Sequence, residues 1–495
     1  MKKKILTFAL LLSTAGAIFA QSTADQFVLP RHSIMTAADF FGQSIAKNDN
    51  YVLVGSPDDD LRAPTDCQGR FQMTGAAVLY KDGKPLRAYT GKFTLDGTHE
   101  VGWRLGESVA MGAEWLAMGA PSARLGKGAV MLVKKDQTGE FSSTIHSEIV
   151  QPVLPGVGVE PGNFGKSVAI GRNTLIIGAY RAKWQGVTTG LVFVYKLVNG
   201  NWSFSKLISP PSLNFGGHFG EEIALSNDEQ KVIIGATGGH TLSNGRTTGS
   251  ALIYTNTSGT TWALSRVFTG NTQESDANVG YALDISNDRA VILSGNNFSN
   301  SVIQTNINIL KLDATGKWVA DQSIGTEHVF DVAIEGTKLV YGQPTHGTGG
   351  RVVQLERSGT TSSPWVVKST VGLQQVGANP GFTVDLSNNE VAAGLFTYDY
   401  ADIIDPCNSS PEFSADENAG GAMLYNFDRF NNSFYKNIKS FRNGEDENST
   451  VINTLSVSPN PAEGGLVNIQ VESAILEVAA VNALGVTTVL PFTDK

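Results

Sequence analysis

From Asn163 to Lys196 the chain reads NFGKSVAIGRNTLIIGAYRAKWQGVTTGLVFVYK. An aromatic-Gly pair, Phe164-Gly165, opens an apolar strand, and a polar turn follows. A second strand closes on Gly178-Ala179, and after a loop a third starts from Gly190. Such a unit cannot bury both faces of its own small sheet, so one copy alone would be unstable and several are expected.

Seven copies align. They open at Phe41-Gly42, Leu105-Gly106, Phe164-Gly165, Phe219-Gly220, Val279-Gly280, His328-Val329 and Pro380-Gly381. The second landmark is Gly55, Gly119, Gly178, Gly235, Gly295, Gly342 or Gly394, 13 residues on in five copies and 15 in the fourth and fifth. Those two carry longer polar turns, and a hairpin can grow by two residues without changing which side chains face which way. A third strand starts from Gly75, Gly128, Gly190, Gly249, Gly350 or Gly421, and from Ile307 in the fifth copy, which lacks the Gly. A fourth is marked by Phe141, Trp202, Trp262, Trp318, Trp365 and Phe434, with Leu86 to Tyr89 in the first copy.

Seven units of four strands, with a period of roughly 55 to 60 residues, match a radial array of sheets, a seven-bladed β-propeller of antiparallel blades. The runs Thr174-Leu175-Ile176-Ile177 and Lys231-Val232-Ile233-Ile234 are apolar on consecutive residues. That is the pattern of a strand covered on both faces, and stacked blades supply both covers. The recurring glycines read as places where neighbouring backbones approach closely.

The Phe-Gly openings and the Gly-Ala-Pro variants (Gly119-Ala120-Pro121, Gly55-Ser56-Pro57, Gly178-Ala179-Tyr180) resemble the FG-GAP repeat over about Phe40 to Phe441. That family builds the seven-bladed heads of integrin alpha chains and occurs in many secreted bacterial proteins. The resemblance implies fold more than function, because the ligands of such proteins differ. Gln26 to Leu29 resembles the strand that integrin-type heads lend to their last blade, while Ser433 to Ile438 reads as a local fourth strand for the same blade. Both options stay open.

The chain begins with Met1-Lys2-Lys3-Lys4, an apolar run from Ile5 to Phe19 and a small residue at Ala20. This is the pattern of a secretory signal peptide over residues 1–20, and the run is too short for a transmembrane span. With 17% charged residues, a net charge of -9 and no basic run beyond the leader, nucleic acid is excluded as a partner. Cys67 and Cys407 lie in equivalent loops of the first and seventh copies, which are neighbours in a closed ring. After export to an oxidising compartment a bridge latching the ring is expected, free thiols being the alternative.

After the propeller (21–441) comes an acidic linker, Arg442 to Thr450, and a final segment, 451–495, of different character. Ser458-Pro459-Asn460-Pro461 marks a turn, Val467 to Val471 alternates as a strand, and Asn482 to Gly485 marks another turn. The segment resembles the opening half of the C-terminal sorting domain of the type IX secretion system, a small β-sandwich. The resemblance implies export to the surface or surroundings of a Gram-negative bacterium, with the secretion machinery as a partner.

Catalytic chemistry is not evident. Ser44, Ser108 and Ser167 stand two residues after an opening Gly, in register, as a structural position would. The nucleophile-elbow reading also lacks its second Gly. The innermost strands show mainly Ser, Val, Ala and Ile. His240 and His346 fall in matching loops and read as solvated residues. The hairpins between landmarks are too short and too poor in carboxylates for the Ca²⁺ sites of many FG-GAP repeats. One acidic cluster, Asp58, Asp59, Asp60 and Asp66 with Asp399, Asp402 and Asp405, is expected to gather on one rim. It reads as solvated loops, with a Ca²⁺ site or a docking patch for a basic partner as alternatives. No other cofactor is implied. The expected function is a monomeric, non-enzymatic adhesion or binding protein presenting rim loops to a protein or glycan. The alternative is a hydrolase or lyase with its site at the channel mouth.

Overall fold

The computed structural model describes residues 40–58, 74–91, 93–96, 99–212, 217–242, 247–259, 261–270, 278–295, 304–345, 350–358, 363–373, 380–395 and 421–427, with isolated strands at 5–9, 26–28, 434–436, 456–458, 466–470, 478–481 and 487–490. The chain divides into two compact units, Gln26–Phe441 and a second made of Met1–Asp25 with Arg442–Lys495. The second unit contains a three-stranded sheet, in which Ile5–Ala9 pairs with Leu466–Gln470 and this with Ser456–Ser458, and a two-stranded sheet of Val478–Val481 and Thr487–Leu490.

The first unit is a ring of seven blades, each built on a four-stranded antiparallel sheet, with the strands of the first five in simple chain order from the axis outward. In blade 3 these are Phe164–Ile170, Thr174–Ala179, Leu191–Val198 and Asn201–Ile208. Seven apolar clusters fill the seven interfaces between neighbouring blades. Leu175 and Ile177 pack toward blade 2, while Ile176 between them packs toward blade 4. The consecutive apolar run thus follows from burial on both faces of one strand. The last interface joins Phe41, Val52, Val54 and Tyr80 of blade 1 to Ala392, Ala422 and Leu424 of blade 7, closing the ring.

The landmark glycines interlock neighbouring blades. A Cβ on Gly178 would lie 2.1 Å from the carbonyl oxygen of Gly220, the opening glycine of the next blade. Gly55, Gly119, Gly235, Gly342 and Gly394 meet Gly106, Gly165, Gly280, Gly381 and Gly42 in the same way. Gly295 is the exception, its close neighbours being Gln304 and Thr305. The sixth copy opens with Val329 in place of glycine, and the interlock is missing there.

Two strand assignments differ from expectation. Phe141 only bridges Lys135, and the outer strand of blade 2 is Ser147–Val150. The fourth strand of blade 7 comes from the other end of the unit: Gln26, Phe27 and Val28 pair antiparallel with Leu424, Met423 and Ala422. Phe434–Lys436 instead runs parallel to Val371, Gly372 and Leu373, as a fifth strand on blade 6. Both segments have strand-forming residues, and long-range pairing decided between them.

Candidate functional site at the channel mouth

The innermost strands surround a central channel, and each opening landmark sets two notable positions at one of its mouths. Two residues before the opening Gly the backbone is left-handed, at Phe40, Arg104, Asn163, His218 and Asn278, and in the sixth copy at His328, one residue before Val329. None of these is glycine, so each position carries local strain, a feature that concentrates at functional sites. Two residues after the Gly, Ser44, Ser108 and Ser167 donate to the carbonyl oxygens of Gly106, Gly165 and Gly220 at 2.8, 3.0 and 2.8 Å, and Thr383 donates to Gly42 at 3.0 Å. The recurring hydroxyl is therefore a staple from each blade to the next.

Blades 4, 5 and 6 depart from this pattern, carrying Glu222, Ala282 and Asp331 at the staple position. Asp331 staples by the opposite polarity, accepting the N–H of Val384 in blade 7 at 2.8 Å. Deeper in the channel Asp284 accepts the N–H of Ile334 at 2.7 Å, and Asp385 that of Lys47 at 2.6 Å, the latter across the closing seam. Glu222 has no such role, and beside it the mouth opens into a cavity of about 310 Å³ lined by Lys166, Glu221, Glu222, Thr237, Asn278 and Tyr281.

A chain of charges leads into this cavity. Asp58 pairs with Arg104 at 2.9 Å, Arg104 with Glu107 at 3.2 Å, and Glu107 with Lys166 at 2.7 Å. Burial pulls the Lys166 ammonium down, but Glu107, Glu221 and Glu222 outweigh it and its pKa ends above the usual lysine value. Glu221 accepts from Thr237 and sits 3.5 Å from His218. Burial raises it, yet those two partners and Lys166 hold it below the ordinary carboxylate value. Glu222, next in sequence, moves the other way. Burial and the nearby Asp331 push it up to about 8, against the pull of Lys166 and the Ile223 N–H. Adjacent carboxyls are thus driven apart, one ionised and one protonated at neutral pH, as in acid–base pairs. Tyr281 donates its hydroxyl to the Val329 carbonyl at 2.7 Å, which fixes its ring at the wall. Tyr180 packs edge-on against His218, with Lys166 and Arg181 over its face.

These contacts correct one expectation. Acidic side chains do converge on the channel, through Glu107, Glu221, Glu222, Asp284, Asp331 and Asp385, and not only Ser, Val, Ala and Ile. Of the expected rim patch, Asp58 pairs with Arg104 of blade 2, while Asp59, Asp60, Asp66, Asp399, Asp402 and Asp405 lie outside the described residues, as do Cys67, Cys407 and His346. His240 is bound within its own loop, its Nδ1 2.7 Å from Thr248 Oγ1. Among the described residues no group of three or more His, Cys, Asp or Glu side chains is placed to hold a metal. One signal for the cavity was present in the sequence: Glu222 is the first of three consecutive copies, with Ala282 and Asp331, that lose the hydroxyl held at this position by Ser44, Ser108, Ser167 and Thr383, and functional sites are where local rules fail.

The raised carboxyls set a pH dependence of stability. Burial holds Asp284 and Asp331 at about 7 and raises Asp385, with Glu222 at about 8. The folded protein binds these protons more tightly than the unfolded chain, whose carboxyls titrate near 4. Their contribution is complete below about pH 4 and is lost as pH rises through 7 to 8. Glu221 and Asp321, both held low, act in reverse and lose their contribution in acid. Thermal melts should therefore show the highest Tm near pH 4 to 5, falling by several degrees toward pH 8.5. Glu222→Gln should flatten the alkaline side, and an unchanged profile would show that Glu222 titrates normally.

Fold and channel together define a seven-bladed β-propeller. No protein-family model and no curated protein matches the sequence. Solved structures similar to it include the RRP9 WD40 repeats, at 9% identity over 83% of this chain and 98% of that one with a TM-score of 0.45. The Dos1 propeller is 12% identical over 95% and 94% of the two chains, with a TM-score of 0.43. The periplasmic gluconolactonase PpgL of Pseudomonas aeruginosa is 10% identical over 66% and 85%, with a TM-score of 0.37.

Proposed function

We propose that this chain is a secreted or surface-displayed, non-enzymatic recognition protein that holds an extracellular protein or glycan at the mouth of its propeller. The observation that carries this reading is the cavity beside Glu222, opened where the ring of inter-blade staples changes character. The repeats are read as FG-GAP units, supported by the interlock of the two glycine landmarks around the ring and by the N-terminal strand in the last blade. The leader and the C-terminal segment support export by a type IX-like route to the outside of a Gram-negative cell. Fractionation with N-terminal sequencing tests this: protein in the medium or outer surface starting at Gln21 supports it, and intact protein in the cytoplasm overturns it.

Cys67 and Cys407 follow the adjacent second strands Tyr51–Ser56 and Glu390–Leu395 of blades 1 and 7, and the bridge between them belongs to the same reading. Thiol titration of denatured, unreduced protein should find no free sulfhydryl and two after reduction; two at the outset would remove the latch.

A second reading, a hydrolase or lyase, is favoured by one observation, the opposite shifts of Glu221 and Glu222 in one cavity. Binding to arrayed extracellular proteins and glycans without turnover in a hydrolase panel supports recognition. Turnover abolished by Glu222→Ala would establish the enzyme.

A further inference from the structure

We propose that the cavity bounded by Lys166, Glu221, Glu222, Thr237, Asn278 and Tyr281 takes a neutral, hydroxyl-rich ligand, a saccharide ring at the end or within a short neutral oligosaccharide. This rests on the recognition reading and names its ligand class.

Charge decides first. An anion entering the cavity meets the Glu221 carboxylate, and a cation meets the Lys166 ammonium with Arg104 one pair behind it. Neither charge is free to serve a ligand. Lys166 is held by Glu107, and Glu221 accepts from Thr237 and lies 3.5 Å from His218, so each charge already has a partner. A ligand with a full charge would have to compete with these contacts, and separating the largely desolvated Lys166–Glu107 pair is costly.

Hydrogen-bonding capacity decides second. Glu222 is engaged only by the N–H of Ile223, and the Asn278 amide has no hydrogen-bond partner among the described residues. A carboxylic acid and an amide each both donate and accept, and so does every sugar hydroxyl. Asn278 is held in place by its left-handed backbone, at φ 39°, directly before the opening of blade 5. The ring of Tyr281, anchored through its hydroxyl to Val329, leaves an apolar surface of the kind that packs against the C–H face of a pyranose. The volume, about 310 Å³, lies at the small end of ligand sites and suits one ring with the remainder of a chain in solvent.

The full chain should be applied to an array of neutral, acidic and amino oligosaccharides, and the bound members titrated calorimetrically. Neutral members should bind. Glu222→Ala and Asn278→Gly, the latter keeping the left-handed backbone while removing the amide, should each weaken them about tenfold or more. Glu222→Gln should stay within about threefold, since it retains a donor and an acceptor. Melts within a few degrees of the parent show that the variants fold. Binding restricted to acidic or amino members, or neutral binding indifferent to both truncating variants, overturns the proposal. Capture of a protein or charged glycan that is lost in Glu222→Ala also overturns it, while leaving recognition at the mouth standing. Absence of any ligand for the exported protein refutes both.

Discussion

Gly178→Ala is expected to destabilise the protein by about 3 to 5 kcal/mol, and Gly178→Val to prevent folding. The new Cβ would stand 2.1 Å from the Gly220 carbonyl oxygen and 2.3 Å from Ser167 Oγ. Ser167 can turn away, at the loss of its bond to Gly220. The carbonyl cannot, because Gly220 belongs to the backbone of the neighbouring blade and its displacement would part blades 3 and 4. That interface is lined by fully buried Ile176, Val192, Phe219, Val232 and Ile234, so its opening costs packing along its whole length. Gly325→Ala is the control. Its nearest neighbour would be Asn306 Oδ1 at 3.7 Å, and its stability should lie within about 0.5 kcal/mol of the parent. Urea titrations followed by tryptophan fluorescence measure all three. A Gly178→Ala protein as stable as Gly325→Ala would refute the interlock.

Removal of the strand Gln26–Val28 should be the second large effect. A chain starting at Arg31 loses three ladder pairs and exposes the edge of Gly421–Asn426, along which Ala422, Met423 and Leu424 are now buried. Lost pairing and burial together amount to about 2 to 4 kcal/mol. The bare edge also becomes a template for pairing with another chain. A chain starting at Gln21, which lacks Ile5–Ala9 as the one starting at Arg31 does but keeps the blade-7 strand, is the reference and should remain monomeric. The one starting at Arg31 should melt lower and form dimers or larger species in light scattering. Equal behaviour of the two would mean that Phe434–Lys436, or another segment, completes the blade.

The repeats were legible in the sequence because each obeys local rules applied seven times. Consecutive apolar residues such as Leu175, Ile176 and Ile177 announce burial on two faces, and the repeated Ser44, Ser108 and Ser167 announce a structural position. Glu221 and Glu222 were not legible in the same way. A carboxylate pair at the head of one strand has no local meaning until Lys166 from blade 3 and Asn278 and Tyr281 from blade 5 are brought against it. Asp284, Asp331 and Asp385 were missed for a related reason. Their partners are backbone N–H groups of the following blade, and backbone leaves no trace in composition. The partner of Asp58 was illegible for the same reason, since Arg104 is brought to it by the stacking of blades 1 and 2 and not by the loop around it.

What the sequence by itself determined is the unit: strand lengths, the two-sided apolar pattern, the glycines at close approaches and the number of copies. All of these depend on residues a few positions apart. What only the tertiary structure decided is which ends meet and what gathers at the axis. The N-terminal strand completes blade 7, one stretch of the mouth opens as a cavity, and two adjacent glutamates acquire opposite protonation. These outcomes depend on contacts between residues some 50 to 400 positions apart, whose joint desolvation and Coulomb interactions exist only once the ring has closed.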